Sequence, residues 1–172
     1  MSNLRTRLLA EVALAAALAT VLNFIPHTFF GWMTMEIGVL PILLLGYRRG
    51  PWAGMAGGLV WGLLTIALGQ AFILVPAQAI LEYILAPIIT GATGFFSKKN
   101  IGFVGLGILV VVLIKYVIHF LAGIIFWSSF AWPGYSATLY SLIVNSVSGL
   151  ITAGFAVIAG LILIKRFPKL LG

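Results

Sequence analysis

Lys115, His119, Gly123 and Trp127 recur every four residues, which on a helix lays an ammonium, an imidazole, a gap and an indole along one slowly turning stripe. Val110 to Ile114 precede Lys115 and Val117-Ile118 follow it, so the charge sits in the middle of an apolar run. An ammonium at such a position is costly unless it is paired or hydrated, and that cost makes it a marker of function. Glu82 lies at matching depth in another apolar run and is open to two readings, a partner that locks two helices or an anion for a bound solute. Tyr140, Ser141 and Asn145 open a further apolar run, and Trp32, Gln70, Phe72 and Trp132 fall in the connections nearest to it. One carboxylate against several aromatic faces suits a flat cation held by charge pairing, stacking and cation–π attraction. Lys115, His119, Tyr140 and Asn145 would add directional hydrogen bonds, and Gly123 leaves room on the stripe for a ring.

The chain has no Asp and no Cys, no His-Glu-x-x-His and no Gly-x-x-x-x-Gly-Lys followed by Ser or Thr. The expectation is a protein that is not an enzyme, carries no cofactor or metal, and hydrolyses no nucleotide by itself. Ser128 and Ser129 lack the strand-turn-helix setting of a nucleophile elbow. No outer cluster of Lys or Arg and no Gly-rich anion loop is available to balance a diphosphate.

The elements that must position these groups follow from composition. The 172 residues are 62% hydrophobic and 8% charged, against roughly 25% charged in a globular domain. Such a surplus of apolar surface belongs in a lipid bilayer. Apolar stretches fall at about 4 to 25, 29 to 47, 52 to 69, 71 to 96, 101 to 127 and 137 to 164, each near the ~20 residues that one crossing needs. They predict one all-α transmembrane domain, residues 1–172, with six helices. The first run imitates a secretory signal, with Arg5 and Arg7 before it and Ala17-Leu18-Ala19 within, yet from Leu8 to Ile25 it has the length of a span.

Arg5, Arg7, Arg48, Arg49, Lys98, Lys99, Lys165, Arg166 and Lys169 all fall in alternate connections, and the other three connections contain neither Lys nor Arg. Basic residues collect on the cytoplasmic side, so both termini are predicted to be cytoplasmic. The formal charge of +7 thus reflects membrane topology and not nucleic-acid binding. Ala13 and Ala17 lie four apart in the first helix and offer a flat strip for close approach by another helix.

Several segments together resemble the thiamine-specific substrate-binding subunit, or S-component, of energy-coupling factor (ECF) transporters. They are Gly31-Trp32 with Glu36, Tyr47-Arg48-Arg49-Gly50, Gly57-Gly58-Leu59-Val60-Trp61-Gly62, Leu81-Glu82-Tyr83, Lys115-Tyr116 with His119, Gly123 through Trp127, Trp132, and Tyr140 with Asn145. The resemblance implies six transmembrane helices in the cell membrane of a bacterium and high-affinity thiamine binding from outside. Trp127 and His119 would stack on the thiamine rings, Glu82 would answer the cation, and Tyr140, Asn145 and Lys115 would make polar contacts. Tyr83 and Gly123 would close the site, Trp32 would be part of its lid, and Trp132 would be among the substrate-binding residues. It further implies that Ala13 and Ala17 dock on a transmembrane coupling protein joined to two ATPase subunits. The stretch Gly69-Gln70-Ala71-Phe72 departs from the family, whose members carry His and Tyr at its polar and aromatic positions. The alternatives are an S-component for another flat vitamin or precursor, such as riboflavin or hydroxymethylpyrimidine, and a stand-alone carrier.

Overall fold

In the computed structural model, residues 2–97 and 100–168 are described, so Lys98, Lys99 and Lys169 lie outside them. Among the described residues there are six longer helices, α1 (Ser2–Asn23), α2 (Val39–Arg49), α3 (Pro51–Ala67), α4 (Pro76–Phe96), α5 (Ile101–Phe126) and α6 (Ala137–Arg166). Between α1 and α2 stands a short antiparallel hairpin of β1 (Thr28–Phe29) and β2 (Met33–Thr34), with Thr28 opposite Thr34.

The hairpin corrects the second expected helix, which begins at Val39 and not near residue 29. Phe30 and Gly31 adopt φ of 54° and 75°, a left-handed pair that turns a chain back on itself and that no helix can pass through. Glu36 therefore precedes α2. The fourth helix likewise begins five residues later than the expected 71, at Pro76. Gly69 turns the chain with φ of 70°, and Val75 is extended at φ −147° and ψ 156°, as a residue before proline prefers.

Inside α4 the winding changes. Ile80–Leu85 form a wider π turn, in which the Ala86 N–H reaches back to the Leu81 carbonyl, and Gly91–Phe96 finish the helix in tight 3-10 turns. Pro87 has no N–H to offer the Tyr83 carbonyl four residues earlier. That carbonyl points at Gly62 of α3, so close that a Cβ there would overlap it. Gly58 meets the Pro87 carbonyl and Gly54 meets Gly91 in the same way, which makes the α3–α4 seam a backbone-to-backbone contact. On the other side, α5 and α6 run antiparallel, Gly149 receiving the Tyr116 ring and Gly160 the tip of Ile108.

The bundle packs around an interior that includes Ala16, Val39, Ile42, Leu43, Trp61, Val112 and Ala153, with a smaller cluster of Val12, Leu45 and Ala53 beside it. Leu9, Leu18, Leu63, Ile114, Ile125, Leu150 and Ile162 point outward in an apolar coat. Among the described residues four helices are long and apolar enough to cross a membrane, namely α1 from Asn3, α4, α5 and α6, while α3 is apolar but shorter. With lipid outside, close packing by small residues holds such helices together, which is the role of the glycine contacts.

The two ends differ in chemistry. At one, Arg49 donates to both carboxylate oxygens of Glu11, at 2.5 and 2.6 Å, and Arg7 and Arg48 stand at 3.3 and 3.9 Å. These contacts tie the start of α1 to the end of α2. At the other end the hairpin, the α3–α4 connection and the α5–α6 connection meet through Trp32 against Trp132 and Phe72 against Trp127. The cavity opens among these aromatic connections.

Candidate binding site

Two adjoining cavities of about 540 and 640 Å³ lie between the hairpin, α3, α4, α5 and α6. Trp32, Glu82, Tyr83, His119 and Asn145 face both, and Gly123, Trp127 and Tyr140 face the second. Eight of the ten residues selected from sequence thus surround one space, drawn from four separate segments.

Glu82 sits on the π turn of α4 and is 9% exposed. Trp127 donates its indole N–H to Oε1 at 3.0 Å, and Nδ1 of His119 stands 3.8 Å from the same oxygen. Gln78, one turn earlier, donates to Oε2. Trp127 closes α5 as its C-cap residue, at φ −107°, so the indole leaves the helix toward Phe72 and Phe130, with ring centroids 5.6 and 5.2 Å away.

Two expected site residues stand off the cavity wall. Lys115 is 2% exposed and reaches Glu36, not Glu82, while Trp61 and Tyr116 cover its ammonium with ring centroids at 5.6 and 5.4 Å. The physical reason is the hairpin, which delivers Glu36 beside α5 once α2 starts at Val39. Trp132 stands behind the wall, edge-on to Trp32 at 5.4 Å and to Tyr140 at 5.1 Å, and holds both rings toward the cavity.

Gly123 departs from its expected role as a slot for a ring. A Cβ there would overlap the Ser141 hydroxyl, so the missing side chain admits Ser141 from α6. Ser141 donates to the Phe120 carbonyl at 2.8 Å, and the Asn145 amide donates to the carbonyl and hydroxyl of Ser141 at 3.0 and 3.1 Å. This chain of bonds fixes Asn145 on the cavity wall. Ala13 and Ala17 are exposed on α1, while Ala16 and Ala19 are fully buried.

Glu36 is the charged residue on the wall that the sequence reading left without a role. The backbone around it lies outside any helix, yet its groups are bonded: Ser148 accepts from the Thr34 N–H and Thr152 from the Glu36 N–H, both at 3.0 Å, and Tyr116 completes the set at 2.9 Å from Thr152. Gln78 was also passed over. Its signal was present, since Gln four residues before an intramembrane Glu shares a helical face with it.

Three comparisons bear on what this arrangement belongs to. The family model described as thiamine transporter protein (Thia_YuaJ) matches residues 9–172. The chain is 36% identical to the thiamine transporter ThiT of Lacticaseibacillus paracasei, over 93% of this chain and 88% of that protein. It is 31% identical to the ThiT of Bacillus subtilis, over 80% of each. A solved structure of ThiT from Listeria monocytogenes superposes with a TM-score of 0.91 at 37% identity, covering 97% of this chain and 98% of that one. These relatives are named as transporters and not as enzymes, in keeping with the multi-pass helical architecture and the two walled cavities. The chain belongs to the thiamine transporter protein family.

Proposed function

We propose that this chain is the high-affinity thiamine-binding subunit, the S-component, of an ATP-driven ECF vitamin uptake transporter. The observation that carries the reading is the charge balance of the cavity. Two carboxylates, Glu36 and Glu82, face it, and one ammonium, Lys115, is spent on Glu36. The formal balance is one negative charge at Glu82, which a monocation such as thiamine cancels and a phosphorylated thiamine would not. The thiazolium ring lies against Glu82 between Trp127 and His119, and the pyrimidine reaches Tyr140 and Asn145, which share the same lobe.

In this reading the chain crosses the membrane six times with both termini in the cytoplasm. The eleven residues of α2, about 16 Å at 1.5 Å each, are extended across the bilayer by residues 33–38. Non-helical backbone is tolerated at that depth because Ser148 and Thr152 bond it. The exposed Ala13 and Ala17 provide the contact for the transmembrane coupling protein, through which two ATPase subunits supply the energy. The test is a tryptophan-fluorescence titration of the purified chain with thiamine. A saturable change at one thiamine per chain, not displaced by riboflavin or hydroxymethylpyrimidine, is the expected result; no response, or full displacement by either, refutes it.

A further inference from the structure

The two carboxylates of the cavity are held in opposite ways. Glu36 is answered by the ammonium of Lys115. Glu82 is held by two neutral donors, the Gln78 amide on Oε2 and the Trp127 indole on Oε1. Neutral donors aim a carboxylate and leave its charge uncancelled.

Gln78 lines neither cavity and is fully buried. The amide nitrogen that donates to Glu82 also donates to the Phe72 carbonyl at 3.2 Å, and its oxygen accepts from the Leu74 N–H at 3.1 Å. The side chain thus bonds Glu82 and the backbone of residues 72 and 74, and it also stands beside the Tyr83 hydroxyl. Tyr83 holds the same stretch from the π turn, its hydroxyl accepting from the Phe72 N–H at 3.0 Å. Between Gln70, whose N–H bonds the Thr65 carbonyl, and Val75, whose carbonyl accepts from Ala79, residues 71–74 lie outside helix and strand and carry the Phe72 ring that lies over Trp127. An intramembrane end of the bundle thus has its cover fastened by the same amide that aims its anion.

We propose that Gln78 is a positioning residue: one carboxamide orients the Glu82 carboxylate toward the positive charge of the solute and latches residues 70–75 over the aromatic wall. The choice of solute rests on the thiamine reading; the latch does not. When Glu82 swings, Gln78 must turn, and turning releases the Phe72 carbonyl and the Leu74 N–H together. A cation that holds Glu82 in place therefore also holds the cover down, whereas a neutral ring of the same shape does not.

Gln78→Met keeps the length of the side chain and removes all of its hydrogen bonds, and Gln78→Asn serves as the second variant, since a shorter amide cannot span Phe72 and Glu82. Each is compared with the unsubstituted protein by thermal unfolding in detergent, by hydrogen exchange without ligand, and by titration with thiamine and with a neutral isostere lacking the thiazolium charge. Exchange in residues 70–75 rises about tenfold in the variants while α5 is unchanged. Thiamine binds about ten- to hundredfold more weakly, as loss of a hydrogen bond to a charged group dictates, and the isostere changes less than threefold. Unchanged exchange in 70–75 overturns the latch, and equal losses for the charged and neutral ligands overturn the positioning role. If the unsubstituted protein binds no thiamine, the proposed function fails, and exchange in the ligand-free protein still decides the latch.

Discussion

Glu82→Gln removes the one uncompensated charge of the cavity and one of two acceptor oxygens, since the amide nitrogen in place of Oε2 cannot accept from Gln78. The side chain keeps its size, and its oxygen still accepts from the Trp127 indole, which is 3.0 Å away in the native protein. Glu36 and Lys115 then cancel, so the formal balance of the site falls from one negative charge to none. For a cation in contact with Glu82, two unit charges ~4 Å apart attract by ~4 kcal/mol at an effective dielectric near 20. Some of this is offset, because binding to the variant no longer strips water from a carboxylate. The net loss is about 2 to 4 kcal/mol, or roughly 30- to 1000-fold in Kd. Calorimetric titration in detergent with thiamine and with its neutral isostere reads the effect directly. The cation should lose this affinity and the isostere should lose almost none. A loss under threefold for thiamine, or the same loss for both ligands, refutes the charge-balance reasoning.

Lys115→Met leaves the partly buried Glu36 on the cavity wall without its counter-ion and should cost about 3 kcal/mol of stability, the low end for breaking a buried pair. Fluorescence-detected unfolding should register this as a lower melting temperature, and adding Glu36→Gln should restore most of it. Gly123→Ala places a Cβ on the Ser141 hydroxyl and breaks the bonds that fix Asn145. An overpacking cost of about 1 to 3 kcal/mol should appear as roughly tenfold weaker thiamine binding in the calorimeter. Ala13→Trp enlarges an exposed face of α1 remote from the cavity, so cells should lose thiamine uptake while the purified protein binds as before. Loss of binding in that variant would make the strip structural.

The stripe from Lys115 to Trp127 was legible because a single helix carries it and four-residue spacing needs no knowledge of partners. The same holds for the paired basic residues, whose alternation depends only on order along the chain. The hairpin was not legible. Its strands are two residues each, too short to show a period, and Phe29, Phe30 and Trp32 read as the start of an apolar helix. That one misreading propagated: with Glu36 placed on a helix, nothing joined it to Lys115, 79 positions away. The cavity then appeared to have one carboxylate where it has two. The π turn was equally hidden, since Pro87 announces a lost hydrogen bond but not how the helix rewinds around it. Gln78 was legible in principle, and only its apolar neighbours made it look incidental.

The glycine seam between α3 and α4 has a mechanical consequence. Where side chains interlock, a change of rotamer can let two helices slide, but where Gly58 and Gly62 meet the carbonyls of Pro87 and Tyr83 there is no side chain to yield. The pair behaves as a stiff plate, and Glu82 and Tyr83 are mounted on it. Admission of a solute would then fall to the hairpin and to the connections around Phe72 and Trp132, which border the opening. The molecule works less like a pair of jaws than like a fixed cup with a pliable rim, the two joined at Gln78, whose one carboxamide bonds both the anion of the cup and the backbone of the rim.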